Sequence, residues 1–188
     1  MNRRNVCLVM TLAIVLLIAA PTGAKTKAQK QADARTIAEQ TLAKLYQAQP
    51  SAKAAIKAAA GYGAFSNFGM KILIAGGGKG QGIVVDNGTK KVTYMKMREI
   101  QAGLGMGAKK FRTVFVFETK GAMDDFVNNG WEFGGQATAA AKSGSKGGSY
   151  QGAVQVREGV WMYQLTDKGL ALELTGKGTK YSKDDDLN

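Results

Sequence analysis

Lys71–Gly88 reads KILIAGGGKGQGIVVDNG, and the fold turns on how this stretch is parsed. Lys71–Ala75 and Gly82–Asp86 are rich in apolar and β-branched residues and read as strands. Between them, Gly76-Gly77-Gly78-Lys79-Gly80 reads as a flexible connection. Asp86-Asn87-Gly88 signals a hairpin, because Asn and Gly accept the positive φ that tight hairpins need. Lys91–Arg98 is then the returning strand.

The same texture continues downstream. Phe111–Glu118 alternates, with Thr113, Phe115 and Phe117 on one face and Arg112, Val114 and Val116 on the other. Both faces are substantially apolar, which places this strand in the middle of a sheet. Thr119–Asn129 reads as a short helix with Thr119 as its N-cap and Ala122, Met123, Phe126 and Val127 as its apolar face. Further strands are expected at Gly152–Arg157, Val160–Thr166 and Gly169–Thr175, and the last six residues, Lys183–Asn188, as a frayed polar tail. Short strands with glycine turns predict a strongly curved antiparallel or barrel-like sheet, so the fold class is α+β.

Upstream of the sheet, Lys25–Gln49 has no Gly or Pro. Ala34, Ile37/Ala38, Thr41/Leu42 and Leu45/Tyr46 recur at helical spacing. Pro50 ends this helix, Ser51 is placed to N-cap a second one through Ala60, and Gly61 stops it. Lys27, Lys30, Arg35 and Lys44 line the first helix. Docking on the sheet is the expectation for it, with Lys27, Lys30 and Arg35 as the candidates should it lie on a membrane instead. The chain thus divides into 25–60 helical, 61–182 β-rich and 183–188 tail.

Residues 1–24 have the form of a cleavable secretory signal. Arg3 and Arg4 precede an apolar run from Val6 to Ala20, then Pro21-Thr22-Gly23-Ala24 offers small residues for cleavage. The run is roughly 15 residues, short of the ~20 that a spanning helix needs. Cleavage near Ala24 removes Cys7, the only cysteine, and the chain has no histidine. Disulfides, Cys/His zinc sites, Cys–His pairs and Ser-His-Asp triads are then all excluded. Export without disulfides suits a bacterial periplasm or outer envelope.

The mature chain keeps 24 basic residues against 14 acidic, a net charge near +10. Such an excess favours anionic partners. Lys90, Lys91, Lys96 and Arg98 lie along one hairpin arm, and Lys109, Lys110 and Arg112 open the next strand. If those strands pair, one positive patch results, with Tyr94, Met95 or Met97 available for shallow apolar contact. Phosphate-loop spacing is absent from the glycine segments. Asp124-Asp125 and Asp184-Asp185-Asp186 do not make a metal cage, and nothing in the spacing asks Glu118 and Glu132 to pair. No cofactor, metal or catalytic residue is expected, nor a nucleic-acid partner, for want of a reading helix or interleaved exposed aromatics.

Four pieces in order resemble the SYLF domain, shared with a yeast actin-patch protein and plant FYVE proteins. They are Gly63-Ala64-Phe65-Ser66-Asn67-Phe68-Gly69 with Gly80-Gln81-Gly82-Ile83-Val84-Val85; Gly103-Leu104-Gly105-Met106-Gly107; Val114-Phe115-Val116-Phe117 with the Phe126 helix and Trp131-Glu132-Phe133-Gly134; and Lys168-Gly169-Leu170-Ala171. The resemblance runs from about Thr36 to Tyr181. It implies phospholipid binding, reported for eukaryotic members as phosphoinositide recognition helped by an N-terminal helix, and an exported or envelope role for bacterial members. Ser66 stands where the family often has Pro, and Ala108-Lys109-Lys110 where it often has Gln, so that edge is unusually basic. The expected function is an exported, non-enzymatic module that binds anionic phospholipid head groups through a basic sheet face. The alternative is a structural or protein-interaction domain of the envelope.

Overall fold

The computed structural model describes residues 24–72, 75–102, 107–133, 150–167, 169–170 and 178–188. For 69–72, 75–76, 101–102, 107–109 and 133 only the backbone is described. The expected secretory signal up to Gly23, the glycine run 103–106 and most of the expected strand 169–175 lie outside these residues.

Helix α1 spans Lys27–Ala48. It opens on a capping box, in which Thr26 Oγ1 accepts from Gln29 N at 3.2 Å and Gln29 Oε1 accepts from Thr26 N at 2.9 Å. Its buried stripe is Ala34, Ala38, Thr41 and Leu45. Helix α2 spans Ala52–Ala58. Ser51 does not cap it as expected: its backbone is already helical, and its hydroxyl accepts from Gln49 Nε2 at 2.7 Å instead. The helix stops at Ala58, and Gly61 belongs to the first strand rather than to a helix stop.

Strands β1 (Gly61–Ile72), β2 (Ala75–Asp86), β3 (Val92–Ala102) and β4 (Gly107–Phe117) form the centre of the sheet. The glycine segment is therefore a strand and not a flexible connection. The reason is steric. Gly78, Gly80 and Gly82 alternate, so they share one face of β2. A Cβ on Gly80 would sit 2.6 Å from Ser66 O, and one on Gly82 would meet Ala64 O more closely still. Leaving that face bare lets the buried Phe65 ring lie across β2.

The β2–β3 hairpin forms at Asp86, whose Oδ1 accepts from Gly88 N and Thr89 N at 2.8 and 2.9 Å. Lys90, not Asn87 or Gly88, takes the positive φ, at 61°. The Asn87 amide instead donates to Ile56 O and Ala59 O, tying the hairpin to the end of α2.

After β4 come α3 (Lys120–Asn129), β5 (Trp131–Phe133), β6 (Val154–Arg157), β7 (Val160–Thr166), β8 (Gly169–Leu170) and β9 (Gly178–Lys183). The strand order is β5-β9-β3-β2-β1-β4-β7-β6, with β8 on β7, and the pairings are antiparallel. Tyr181 on β9 and Phe115 on β4 are four strand spacings apart, which in a flat sheet would be about 19 Å. Their ring centroids are 5.1 Å apart. The sheet therefore curls into a half-barrel, as expected for the α+β class.

Its concave face holds Phe65, Phe115, Phe117, Trp131 and Tyr181 around Phe126 of α3. Thr119 caps that helix, accepting from Ala122 N at 3.2 Å. The convex face carries Ala64, Ile83, Val114 and Tyr163 beneath Ala34, Ala38, Leu45 and Ile56 of α1 and α2. Strand β4 is buried on both faces from Phe111 to Phe117, as its sequence predicts.

Lys183–Asn188 is not frayed. Leu187 is buried, Gln31 Nε2 donates to Leu187 O at 2.7 Å, and Lys27 Nζ to Asn188 O at 2.8 Å. The aspartates of this run face outward while the residues after them anchor it.

Candidate functional site

Direct partners in an antiparallel sheet point to the same side. Read across the convex face, the register aligns Lys180 with Arg98, Arg98 with Lys79, Lys79 with Phe68, and Phe68 with Lys110. Five strands thus present one row of four exposed cations with an exposed phenyl ring among them; Phe68 is 56% accessible. Glu132 of β5 stands opposite Lys180 at the end of the row. Like charges directly opposite destabilise a sheet, so Lys180, Arg98 and Lys79 on consecutive strands carry a folding cost that an anionic partner removes.

One register step towards α1 the row continues as Lys96, Gln81, Ser66 and Arg112. Ser66, Phe68, Lys79, Gln81, Lys110 and Arg112 line a groove of about 340 Å³, walled on one side by Ile37 and Gln40 of α1. Arg112 is only 6% exposed and its Nη1 makes no hydrogen bond. The nearest carboxylate oxygen to it, Asp167 Oδ1, is 3.7 Å away on a side chain 73% exposed. A desolvated, incompletely paired guanidinium is costly. The groove therefore has a buried anion-seeking group in its lining and two exposed cations, Lys79 and Lys110, beside it.

A larger cavity of about 530 Å³ lies at the other end of the sheet, against α3 and the Lys183–Asn188 segment. Among its charges, Lys120 Nζ is 2.6 Å from Asp124 Oδ2, a bond that raises the lysine pKa, and Asp86 is held below the usual carboxylate range by the backbone N–H of Thr89 and then of Gly88. Glu118 accepts from Trp161 Nε1 at 3.0 Å, and Asp125 from Trp131 Nε1 at 2.9 Å, so these carboxylates orient indoles.

Of the basic residues singled out from the sequence, the structure brings Lys96, Arg98, Lys110 and Arg112 onto one face. They do not meet as expected, because β3 and β4 do not pair: β2 and β1 lie between them. Lys90 and Lys91 sit at the hairpin end, about 23 Å along β3 from Arg98, and are not part of the groove. Lys109 is known by its backbone only, opposite Gly69. Tyr94, Met95 and Met97 are buried rather than available for contact; Phe68 and Ile100, the latter on the convex side next to the row, are the large apolar side chains exposed among the described residues. On α1, Lys27 is engaged with Asn188 and Lys30 is exposed, while Arg35 Nε donates to Tyr94 Oη at 2.8 Å with its guanidinium over that ring. The apolar stripe of this helix is consumed by the sheet.

Lys79, Lys180 and Phe68 were not anticipated as site residues. Lys79 is hidden by the glycines around it, yet once β2 is extended it faces the same way as Gln81 and Ile83.

Fold and face together define a small α+β module with a cationic outer sheet. Residues 98–188 match the family model described as "Ysc84: Las17-binding protein actin regulator". The chain is also 33% identical, over 165 residues and 87% of its length, to Beta cell expansion factor A of Aeromonas veronii. It spans 60% of that relative's length. Both matches are partial, one to the second half of this chain and one to part of that relative, and both are consistent with the SYLF resemblance of its motifs.

Proposed function

We propose that this chain is an exported peripheral module that binds anionic phospholipid head groups of the cell envelope through the convex sheet face. The observation that carries this reading is the row Lys180–Arg98–Lys79–Phe68–Lys110, cations on neighbouring strands around an exposed ring. Each cation near an anionic bilayer contributes about 1 kcal/mol, within a Debye length of the surface. Phe68 adds shallow apolar contact of the kind interfacial aromatics supply. No helix among the described residues is long and apolar enough to cross a membrane, so attachment through α1 to α3 would be to a surface. The reading is one of binding without catalysis.

The test is co-sedimentation with phosphatidylcholine vesicles with and without phosphatidylglycerol, across a salt series. Binding to the anionic vesicles that falls as salt rises is expected. Equal binding to neutral vesicles sinks the electrostatic mechanism. The family description names a protein ligand, so an interaction domain is the second reading. It prevails if the chain leaves every vesicle composition in the supernatant.

A further inference from the structure

The convex row accounts for diffuse attraction to negative charge, but not for Arg112. A guanidinium serving a diffuse surface would be exposed, as those of solvent-facing arginines are. This one is nine-tenths buried at the floor of a walled groove, with Nη1 lacking a hydrogen-bond partner. We infer that Arg112, with Lys79 and Lys110, forms a discrete binding site for a phosphate monoester, resting on the membrane-surface reading above but more specific than it.

Four features point to that ligand class. First, among the described residues the groove holds three cations against one nearby carboxylate, Asp167, a local excess near two positive charges that suits a dianion. Second, the groups approach from different sides: Arg112 from the floor, Lys110 beside it on β4, and Lys79 from β2 across β1. A terminal phosphate has three free oxygens to meet them, whereas a diester has two and a single charge. Third, the fork of a guanidinium grips two such oxygens at once. Fourth, Gln40 of α1 adds an amide to the wall, and about 340 Å³ is at the small end of ligand sites, large enough for a head group but not for an acyl chain.

Asp167 acts as the competitor. At 3.7 Å it is too far to hydrogen-bond Arg112 yet near enough to lower the affinity of an arriving anion. Its removal should strengthen the site without disturbing the fold, since its side chain is 73% exposed.

A lipid-borne and a soluble monoester share this chemistry, and two arms separate them. In the first, vesicles of phosphatidylcholine with phosphatidic acid are compared with phosphatidylglycerol vesicles matched in zeta potential. Wild type is expected to bind the phosphatidic acid vesicles about fivefold more tightly. Arg112→Lys keeps the charge but loses the fork, so it abolishes this preference; Asp167→Asn increases the preference. In the second arm, glycerol 3-phosphate without vesicles is expected to raise Tm of wild type and Asp167→Asn but not of Arg112→Lys. A Tm rise without a vesicle preference assigns the site to a soluble monoester. Should Arg112→Lys fold poorly, Lys110→Gln and Asp167→Asn, both at exposed positions, decide in its place. No preference and no Tm rise overturns the inference, even if salt-sensitive vesicle binding stands. Absence of all vesicle binding overturns the membrane reading, and the glycerol 3-phosphate arm still judges the site.

Discussion

Asn188 completes the backbone of Tyr94: its Oδ1 accepts from Tyr94 N at 2.9 Å and its Nδ2 donates to Tyr94 O at 2.8 Å. The pairing of β9 with β3 reaches from Ile100 back to Met95, and the amide of Asn188 takes over at the next residue. Asp184 N also donates to Tyr94 O, at 3.0 Å. Tyr94 in turn receives Arg35 of α1 on its hydroxyl, so the segment after β9 and the first half of α1 meet on one residue, the first at its backbone and the second at its side chain.

Leu187→Ala is therefore expected to destabilise the domain by about 2–3 kcal/mol, the cost of truncating a buried leucine. Asn188→Ala should cost about 1 kcal/mol, since it leaves the part-buried Tyr94 N without its acceptor while Asp184 N still serves Tyr94 O. Urea denaturation of the two variants checks both figures. Wild-type stability in both would show the segment to be the frayed tail that its three aspartates suggest.

Gly82→Ala should cost about 3 kcal/mol or prevent folding, because a methyl group there meets the backbone of Ala64 and the ring of Phe65, neither of which can yield. Gly121→Ala is the control. Nothing lies within 4 Å of its added Cβ, and it sits in the first turn of α3, so stability should hold or rise by up to about 1 kcal/mol. Thermal melts of the pair separate a glycine needed for space from one that is not.

Replacing Lys79, Arg98 and Lys110 together by Gln should weaken binding to phosphatidylglycerol vesicles by about two orders of magnitude, at about 1 kcal/mol per charge. Replacing Lys90 and Lys91 by Gln should change it little, because the hairpin end is remote from the row. Sedimentation at low salt compares them, and an equal loss in the two variants would return the contact to the hairpin.

Burial pushes the Tyr163 hydroxyl up to about 12 from an ordinary 10.0, and that of Tyr181 higher still. Both groups resist ionising in the folded state, so the stability they contribute is complete below pH 10. Above that value the unfolded chain loses its protons first, and stability falls as pH rises towards 12. Ultraviolet absorbance of tyrosinate, followed beside circular dichroism, should show these two residues titrating only as the fold is lost. Early ionisation of every tyrosine in a folded protein would contradict their burial.

Much of the fold is legible in the sequence. The alternation in Phe111–Phe117 shows a strand apolar on both faces, and Thr119 announces α3. The glycine run misleads because its constraint is tertiary: nothing local says that Gly78, Gly80 and Gly82 are bare so that Phe65 and Asn67 on the neighbouring strand have room. The groove is less legible, for a topological reason. Lys96, Arg98, Lys110 and Arg112 stand in the sequence as two clusters, but β2 and β1 come between them in space and bring Lys79 and Phe68 into the row. Lys79 offers a signal only after β2 is known to be extended. The aspartates after Lys183 suggest a solvated end, and only the contacts of Leu187 and Asn188 with α1 and β3 show otherwise.

The bond from Lys27 to Asn188 joins residues 161 positions apart, and its consequence is one of timing. Helix α1 is synthesised well before the residues that fasten its opening turns. Closure over so long a separation is slow, so α1 stays unfastened until the residues after β9 have been made. For a polypeptide proposed to cross a membrane before it folds, lateness is an asset: the final latch can engage only on the far side.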